Sequence, residues 1–378
     1  MHPSSLLSYY PTYAILDEVL SYGQITELNL FFDLKNNLQT LYLEHAIKNV
    51  VETTIKAGRI DTSVFSSVMS FLAYHKLYAI KRKIKVNFYT FFESGVSYYH
   101  TNLDKKYKIS RRTDDLYGLD REKRELFFTI FHKNLMLVEK ALNKIPQNKV
   151  IRMTNLEADF IPYYLVRNSL VPTGENVANI VYSNDHDLLQ CTEAGKNVYI
   201  FQKGRNVKRL VRPGNIMETY FKVDLGLPDS YFSLACSITG DSGDDITGVK
   251  GIAQKRAIAI INDVVSMVGG IDALYDNVFN RKPIFTQPPT TENKYINDVV
   301  SSEQSHGLIS RNLQLISFEM LSRFVDDPPS IEMDKKRQHI INTLKPSETA
   351  PIESMREALD KVRVELQEDD LEVLYYGS

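Results

Sequence analysis

Apolar residues change their spacing along this chain, and the change divides it. Leu28–Phe32 is a short apolar run ending at Asp33, and Val86–Phe92 alternates. Val150–Met153, Ile180–Tyr182, Val198–Phe201 and Leu210–Val211 are further short runs rich in β-branched and aromatic residues. Runs of this kind read as strands. Between them lie stretches with a helical period, over roughly 37–57, 62–81, 121–142 and 155–168. Strands alternating with helices predict an α/β domain with a mainly parallel sheet over about 28–225. Val198–Phe201 and Leu210–Val211 lie close enough in sequence to form a hairpin. Residues 96–120 are polar, basic and aromatic with no clean period. The later chain, 226–344, reads as mainly helical, with helices expected at 228–239 and 252–268. Residues 1–27 form an N-terminal extension, and 345–378 a linker, a helix and an acidic tail.

Composition narrows the class. Of 378 residues, 43% are hydrophobic and 24% charged, as in an ordinary globular protein. No apolar run approaches the ~18–20 residues that cross a bilayer. The opening Met-His-Pro-Ser-Ser lacks the basic and apolar regions of a signal peptide. Cys191 and Cys236 are the two cysteines, too few for a disulfide framework or a cysteine-rich zinc site. A cytoplasmic protein with no membrane partner is the expectation. The net charge of −2 does not by itself point to a polyanion. Its distribution does. Residues 104–124 are crowded with Lys and Arg, and 194–212 hold Lys196, Lys203, Arg205, Lys208, Arg209 and Arg212 with no acid.

The densest chemistry lies at 240–258. Asp241, Asp244 and Asp245 fall within five residues. Carboxylates at that density repel one another unless a cation sits among them. A tight turn with Gly248 and Gly251 then runs into a basic helix start. Such a turn lets backbone N–H groups approach a phosphate.

Other acids follow apolar runs: Asp33 after Leu28–Phe32, Glu93 after Val86–Phe92, and Asp185 and Asp187 after Ile180–Tyr182. Ligand sites of open parallel sheets form beyond the carboxyl ends of the strands, so these acids would meet in one crevice. Asp185 and Asp187 are two apart and would face one side of an extended segment. Glu157 and Asp159 repeat that spacing at an expected helix start. A single such Asp is usually a turn former or helix cap. The ordered set is what suggests a divalent metal site, with Mg²⁺ or Mn²⁺ favoured over Zn²⁺ by the all-oxygen ligands.

With these residues assembled, the chain resembles the 5′-nuclease superfamily of flap endonucleases and 5′–3′ exonucleases, its phage members above all. Gly240-Asp241-Ser242-Gly243-Asp244-Asp245-Ile246-Thr247-Gly248-Val249-Lys250-Gly251-Ile252 is similar to the family's Gly-Asp-Ser-Ser-Asp-Asn-Ile-Pro-Gly-Val-Lys-Gly-Ile. Ser183 to Gln190 resembles Ser-x-Asp-x-Asp-Leu-Leu-Gln, Glu157-Ala158-Asp159 resembles Glu-Ala-Asp-Asp, and Tyr107-Lys108-x-x-Arg111 resembles Tyr-Lys-x-x-Arg. Three departures stand out: Phe160 for the second Asp, Glu93 for an Asp, and Leu34 for a Gly.

The resemblance implies a PIN-like α/β core, a helical arch over about 96–142 and a C-terminal helix–three-turn–helix region. It implies two Mg²⁺ or Mn²⁺ ions held by Asp33, Glu93, Glu157, Asp159, Asp185, Asp187, Asp241 and Asp244. Lys108 and Arg111 would act on the scissile phosphate. Gly248, Lys250, Gly251, Lys255 and Arg256 would hold the duplex backbone, with a K⁺ ion at the turn and Tyr107 stacking on a base. The implied activity is metal-dependent hydrolysis at the 5′ ends or flaps of branched or RNA-primed DNA in replication or repair. The alternative is a catalytically weakened homologue that binds branched or duplex DNA as an accessory protein. The acidic C-terminus is a candidate docking segment for a replication protein.

Overall fold

The computed structural model describes residues 13–37, 47–58, 63–110, 119–195, 197–203, 208–222, 226–285, 292–328, 330–345, 354 and 356–357. Eight strands fall among them: β1 (Glu27–Asp33), β2 (Lys85–Ser94), β3 (Asn148–Thr154), β4 (Val177–Tyr182), β5 (Val198–Lys203), β6 (Lys208–Val211), β7 (Gly240–Asp241) and β8 (Ile246–Thr247). The first six form one sheet in the order β3-β2-β1-β4-β5-β6. The pairs from β3 through β5 are parallel, and β6 closes the edge antiparallel to β5 as the expected hairpin. The described strands and helices thus bear out the α/β reading.

The strand order explains where the acids go. The chain builds outward from β1 through β2 to β3, then returns to the other side of β1 with β4. The β1–β4 boundary is therefore the point where the order reverses, and side chains beyond it line a natural crevice. Asn37 closes this point, its amide donating to the carbonyls of Asp33 (2.7 Å) and Tyr182 (2.8 Å).

Both faces of the sheet are covered, which is why β1 and β4 are buried almost throughout rather than at alternate positions. Leu28, Leu30 and Phe32 pack with Val86, Phe88 and Phe92 under the helices Tyr13–Ser21, Ser63–Arg82 and Arg121–Leu142. Phe31, Phe91, Ile151 and Met153 face the other way, into a core shared with the helices that follow β4. Side chains two apart in a strand share a face. Asp33 therefore lies on the side of Phe31, and Glu93 on the side of Phe91, both toward the later helices. Register is fixed by a buried asparagine ladder. Asn87 donates to Asn29 and Asn29 to Asn179, each at 2.9 Å, between residues paired across three strands. A one-residue slip would strand these amides in the core.

Several expected boundaries shift. The helix expected at 155–168 is shorter, Ile161–Arg167, with Pro162 in its first turn and residues 155–160 in a loop. The aperiodic 96–120 segment contains a helix, Tyr98–Leu103, started by Ser97. From Tyr13 onward the N-terminal stretch is part of the body, since Leu16 and Val19 of the helix Tyr13–Ser21 are buried. The remaining described α-helices run Ile47–Ala57, Ile216–Phe221, Phe232–Thr239, Gln254–Val268, Ile271–Phe279, Lys294–Val300, Glu303–Ile316, Phe318–Asp326 and Ile331–Leu344. Among the described residues no single helix is long and apolar enough to cross a membrane.

Candidate active site

The acidic motif is held by backbone crossing. Gly240 and Gly248 meet where β7 passes β8, so closely that a Cβ on Gly248 would lie 2.1 Å from the Thr239 carbonyl oxygen. Buried Asn312 clasps the crossing from the helix Glu303–Ile316, donating to the carbonyls of Ser237 (2.8 Å) and Thr247 (2.9 Å). The turn between the strands then divides its acids. Asp241 caps the turn through the N–H of Gly243 at 2.8 Å. Asp244 is buried and points inward. Asp245, at φ 59°, turns outward and accepts from the N–H and hydroxyl of Ser110, each at 2.8 Å.

This docks the segment carrying Lys108 onto the motif. The N–H of Lys108 donates to the Asp244 carbonyl at 3.0 Å. Its ammonium lies 2.7 Å from Glu157 Oε1 and 3.2 Å from Asp244 Oδ2. The Tyr107 hydroxyl lies 3.0 Å from Glu157 Oε2 and 3.2 Å from the same Asp244 oxygen, so one proton is shared between two carboxylates. Residues from three distant parts of the chain thus meet at one point. Glu157, Asp159 and Asp187 line one small cavity with His100, against Ile316 and Phe318.

The charges are unequally compensated. Burial would raise the Glu157 carboxyl, but Lys108 beside it holds it down to about 2. Burial would likewise discharge Lys108, yet Glu157, Asp244 and Asp159 keep it firmly protonated. Asp159 is pushed well above the carboxylate range by burial and by Glu157. Asp187 is pushed up by burial and by Asp185, Asp244 and Asp241. Asp33 is pushed up by burial, Glu93 and Asp185. Glu93 is salt-bridged to Lys35, just beyond the end of β1. The eight expected acids are therefore electrostatic neighbours in one crevice, in two groups: Asp33, Glu93 and Asp185 beyond β1, β2 and β4, and Glu157, Asp159, Asp187, Asp241 and Asp244 around Lys108.

The donor chemistry fits a hard divalent cation, since every side chain is a carboxylate and several repel each other. As the side chains stand, no three Asp, Glu, His or Cys among the described residues are arranged to hold a metal ion. Lys108 supplies positive charge there instead.

Two expectations change, for Tyr107 and for the Asp185–Asp187 pair, and two of the departures take their places in the core. Tyr107 is buried, with 3% exposure, and its ring stacks on His100 at 4.9 Å. It is enclosed in the site rather than offered to a base. Asp185 and Asp187 do not share an extended segment, because Asp187 opens a 3₁₀ turn and its N–H bonds back to Asp185 at 3.2 Å. The Phe160 ring is fully buried in the apolar core, edge-on to Tyr164. Leu34, in place of the family's Gly, is fully buried in the core. Arg111 and the acidic tail lie outside the described residues.

The glycine turn stands open beside the site. Lys250, Gly251, Lys255 and Arg256 are exposed, and the helix Gln254–Val268 starts at Ala253, which offers no side-chain cap. Gly251 needs its flexibility, at φ 82°. The Arg256 guanidinium is drawn back, donating to the Gly251 carbonyl at 2.6 Å and lying 4.7 Å from the Tyr295 ring centre.

The molecule's likeness to known proteins agrees with this geometry. Two crystal structures of the bacteriophage T5 flap endonuclease superpose on it. One, co-crystallised with metal ions, gives a TM-score of 0.57 at 20% identity, covering 84% of this chain and 100% of that one. The other, a complex with DNA and metal ions, gives 0.54 at 20% identity over the same shares. The chain shares the fold of the T5 flap endonuclease. Among curated proteins, a 5′–3′ exonuclease of Mycoplasma pneumoniae is 32% identical over 105 residues, 28% of this chain and 33% of that protein. One from Halalkalibacterium halodurans is 26% identical over 140 residues, 37% and 40% of the two chains. One from Buchnera aphidicola is 25% identical over 230 residues, 58% and 73%. The match thus spans between 33% and 40% of the length of the first relatives. No protein-family model matches the chain.

His100, Ser110 and Asn312 are site-building residues that the sequence reading missed. Asn312 carries a readable signal, a polar residue among Ile309, Leu313 and Ile316 on the buried stripe of a helix. His100 carries a weaker one, the Ser three places before it that caps its helix.

Proposed function

We propose that this chain is a metal-dependent 5′-nuclease that hydrolyses phosphodiester bonds at the 5′ ends or flaps of branched DNA, including RNA-primed DNA. The observation that carries this is the meeting of Glu157, Asp244, Tyr107 and Lys108 at the carboxyl end of the sheet, beside an exposed glycine turn. Its relatives are 5′–3′ exonucleases by name, and of the two T5 structures one holds metal ions and the other DNA and metal ions.

Glu157, Asp159, Asp185, Asp187, Asp241 and Asp244, with Asp33 and Glu93, would hold two Mg²⁺ or Mn²⁺ ions. Such a pair supplies Lewis acidity for displacement at phosphorus. Lys108 balances the buried carboxylates until a phosphate arrives and then offers it a cation. Arg111 is assigned to the same phosphate. The Gly248–Gly251 turn, with Lys250, Lys255 and Arg256, holds the duplex backbone through N–H groups and charge, positioning it without reading sequence. By the same resemblance a K⁺ ion belongs at this turn.

The test is release of short products from 5′-labelled flap DNA with and without Mn²⁺. Metal-dependent release supports the assignment. Binding of the flap with no release in either condition overturns it in favour of a DNA-binding accessory role.

A further inference from the structure

We propose that His100 is a positioning residue that sets the spacing of Glu157 and Asp244 by holding Tyr107 from behind. The role rests on the nuclease reading above. The Tyr107 hydroxyl touches both carboxylates, as does Lys108. Lysine has a long flexible stem, whereas tyrosine is a rigid plate with two side-chain torsions. The separation of the two acids is therefore governed by where the Tyr107 ring rests.

It rests on His100. The two rings are 4.9 Å apart at an angle of 18°. His100 is itself fixed. Its Nδ1 is 2.6 Å from the Ser97 hydroxyl, which starts the short helix Tyr98–Leu103. His100 also lines one small cavity together with Leu315. Leu315 lies three residues after Asn312, the clasp on the backbone that carries Asp244. One helix, Glu303–Ile316, thus clasps the Asp244 turn and lines the cavity that His100 shares. Nothing in this chain of contacts requires His100 to touch substrate or exchange a proton.

The experiment measures Mn²⁺ affinity of the full chain by calorimetry for wild type, His100→Ala, Tyr107→Phe and the double variant. Thermal unfolding is followed for each. Tyr107→Phe keeps the stack and removes one oxygen, so it tests the bridge even if His100→Ala folds poorly. Each single variant is expected to bind Mn²⁺ roughly tenfold more weakly, as when partners that orient a metal ligand are lost. The double variant should be no weaker than Tyr107→Phe alone, because His100 acts through that hydroxyl. His100→Phe, which restores a ring to the stack, should recover much of the loss. Affinity within about twofold of wild type in Tyr107→Phe, or multiplying losses in the double variant, would overturn the role. Wild-type protein that binds no Mn²⁺ would overturn the nuclease reading and the role together.

Discussion

The ammonium of Lys108 lies 2.7 Å from Oε1 of Glu157, in a crevice that also holds Asp244 and the Tyr107 hydroxyl. This pair holds the two halves of the site together, one from the loop after β3 and one from the segment docked on the Asp244 turn. Replacing Lys108 with Met should leave DNA affinity within a few-fold of wild type. It should lower single-turnover cleavage by about a hundredfold or more, the scale of losing one preorganised charge at a phosphoryl centre. Binding and cleavage measured on the same flap substrate check this.

The raised acids should contribute to stability a pH dependence of known sign. Asp33, Asp159 and Asp187 bind protons more tightly folded than unfolded. As pH climbs through and above the ordinary carboxylate pKa of about 4, the unfolded chain releases those protons first, and stability falls. Glu157 has the opposite sign. Its contribution is complete above the ordinary range and is lost as pH drops toward its folded value of about 2. Buried His75 and His100, each pushed down to about 4, act in the opposite direction between pH 7.5 and 5. Substitution therefore isolates the acid effect: in metal-free protein, Asp187→Asn should raise Tm relative to wild type more at pH 7.5 than at pH 5. Added Mn²⁺ should raise Tm more at pH 7.5 than at pH 5. Thermal melts across this range decide it.

Gly248 and Gly251 should respond differently to alanine. A Cβ at Gly248 collides with the Thr239 backbone, which cannot move without opening the Gly240 crossing. Gly248→Ala should cost about 3 kcal/mol or more. Gly251 has open space around its Cβ position and only a positive φ to lose. Gly251→Ala should cost about 1 kcal/mol. Denaturant titrations of the two variants give the comparison.

Phe160 invites a test of the second Asp that the Glu-Ala-Asp-Asp resemblance implies there. Its ring lies in the core, so Phe160→Asp would bury a charge beside Asp159 and leave a cavity. The substitution should destabilise by about 4 kcal/mol and should not raise cleavage. Melts and cleavage assays on that variant test both halves.

Much of this architecture was legible because its signals are local. The sheet strands are short apolar runs, and the alternation of Phe31 and Phe32 between the two cores follows from the two-residue period of a strand. The helix Arg121–Leu142 follows from its period and from Asp120 capping its first turn. The acids were found because they follow strands. Their partners were not, because partnership is a long-range property. Tyr107 looks like a solvent-facing aromatic in a basic stretch until Asp245 pins Ser110 and draws the segment inward. Glu157 and Asp159 look like a helix start until Pro162 places the first turn later. His100 gives no sign of its neighbour, since the helix that lines its cavity lies two hundred residues away along the chain.

The most direct measurement compares wild type with Asp187→Ala on one 5′-labelled flap DNA, recording both binding and cleavage in Mn²⁺. The account predicts that wild type cuts, that Asp187→Ala binds with similar affinity and does not cut, and that chelation abolishes the wild-type reaction. Equal cleavage by the two proteins would contradict the site assigned here.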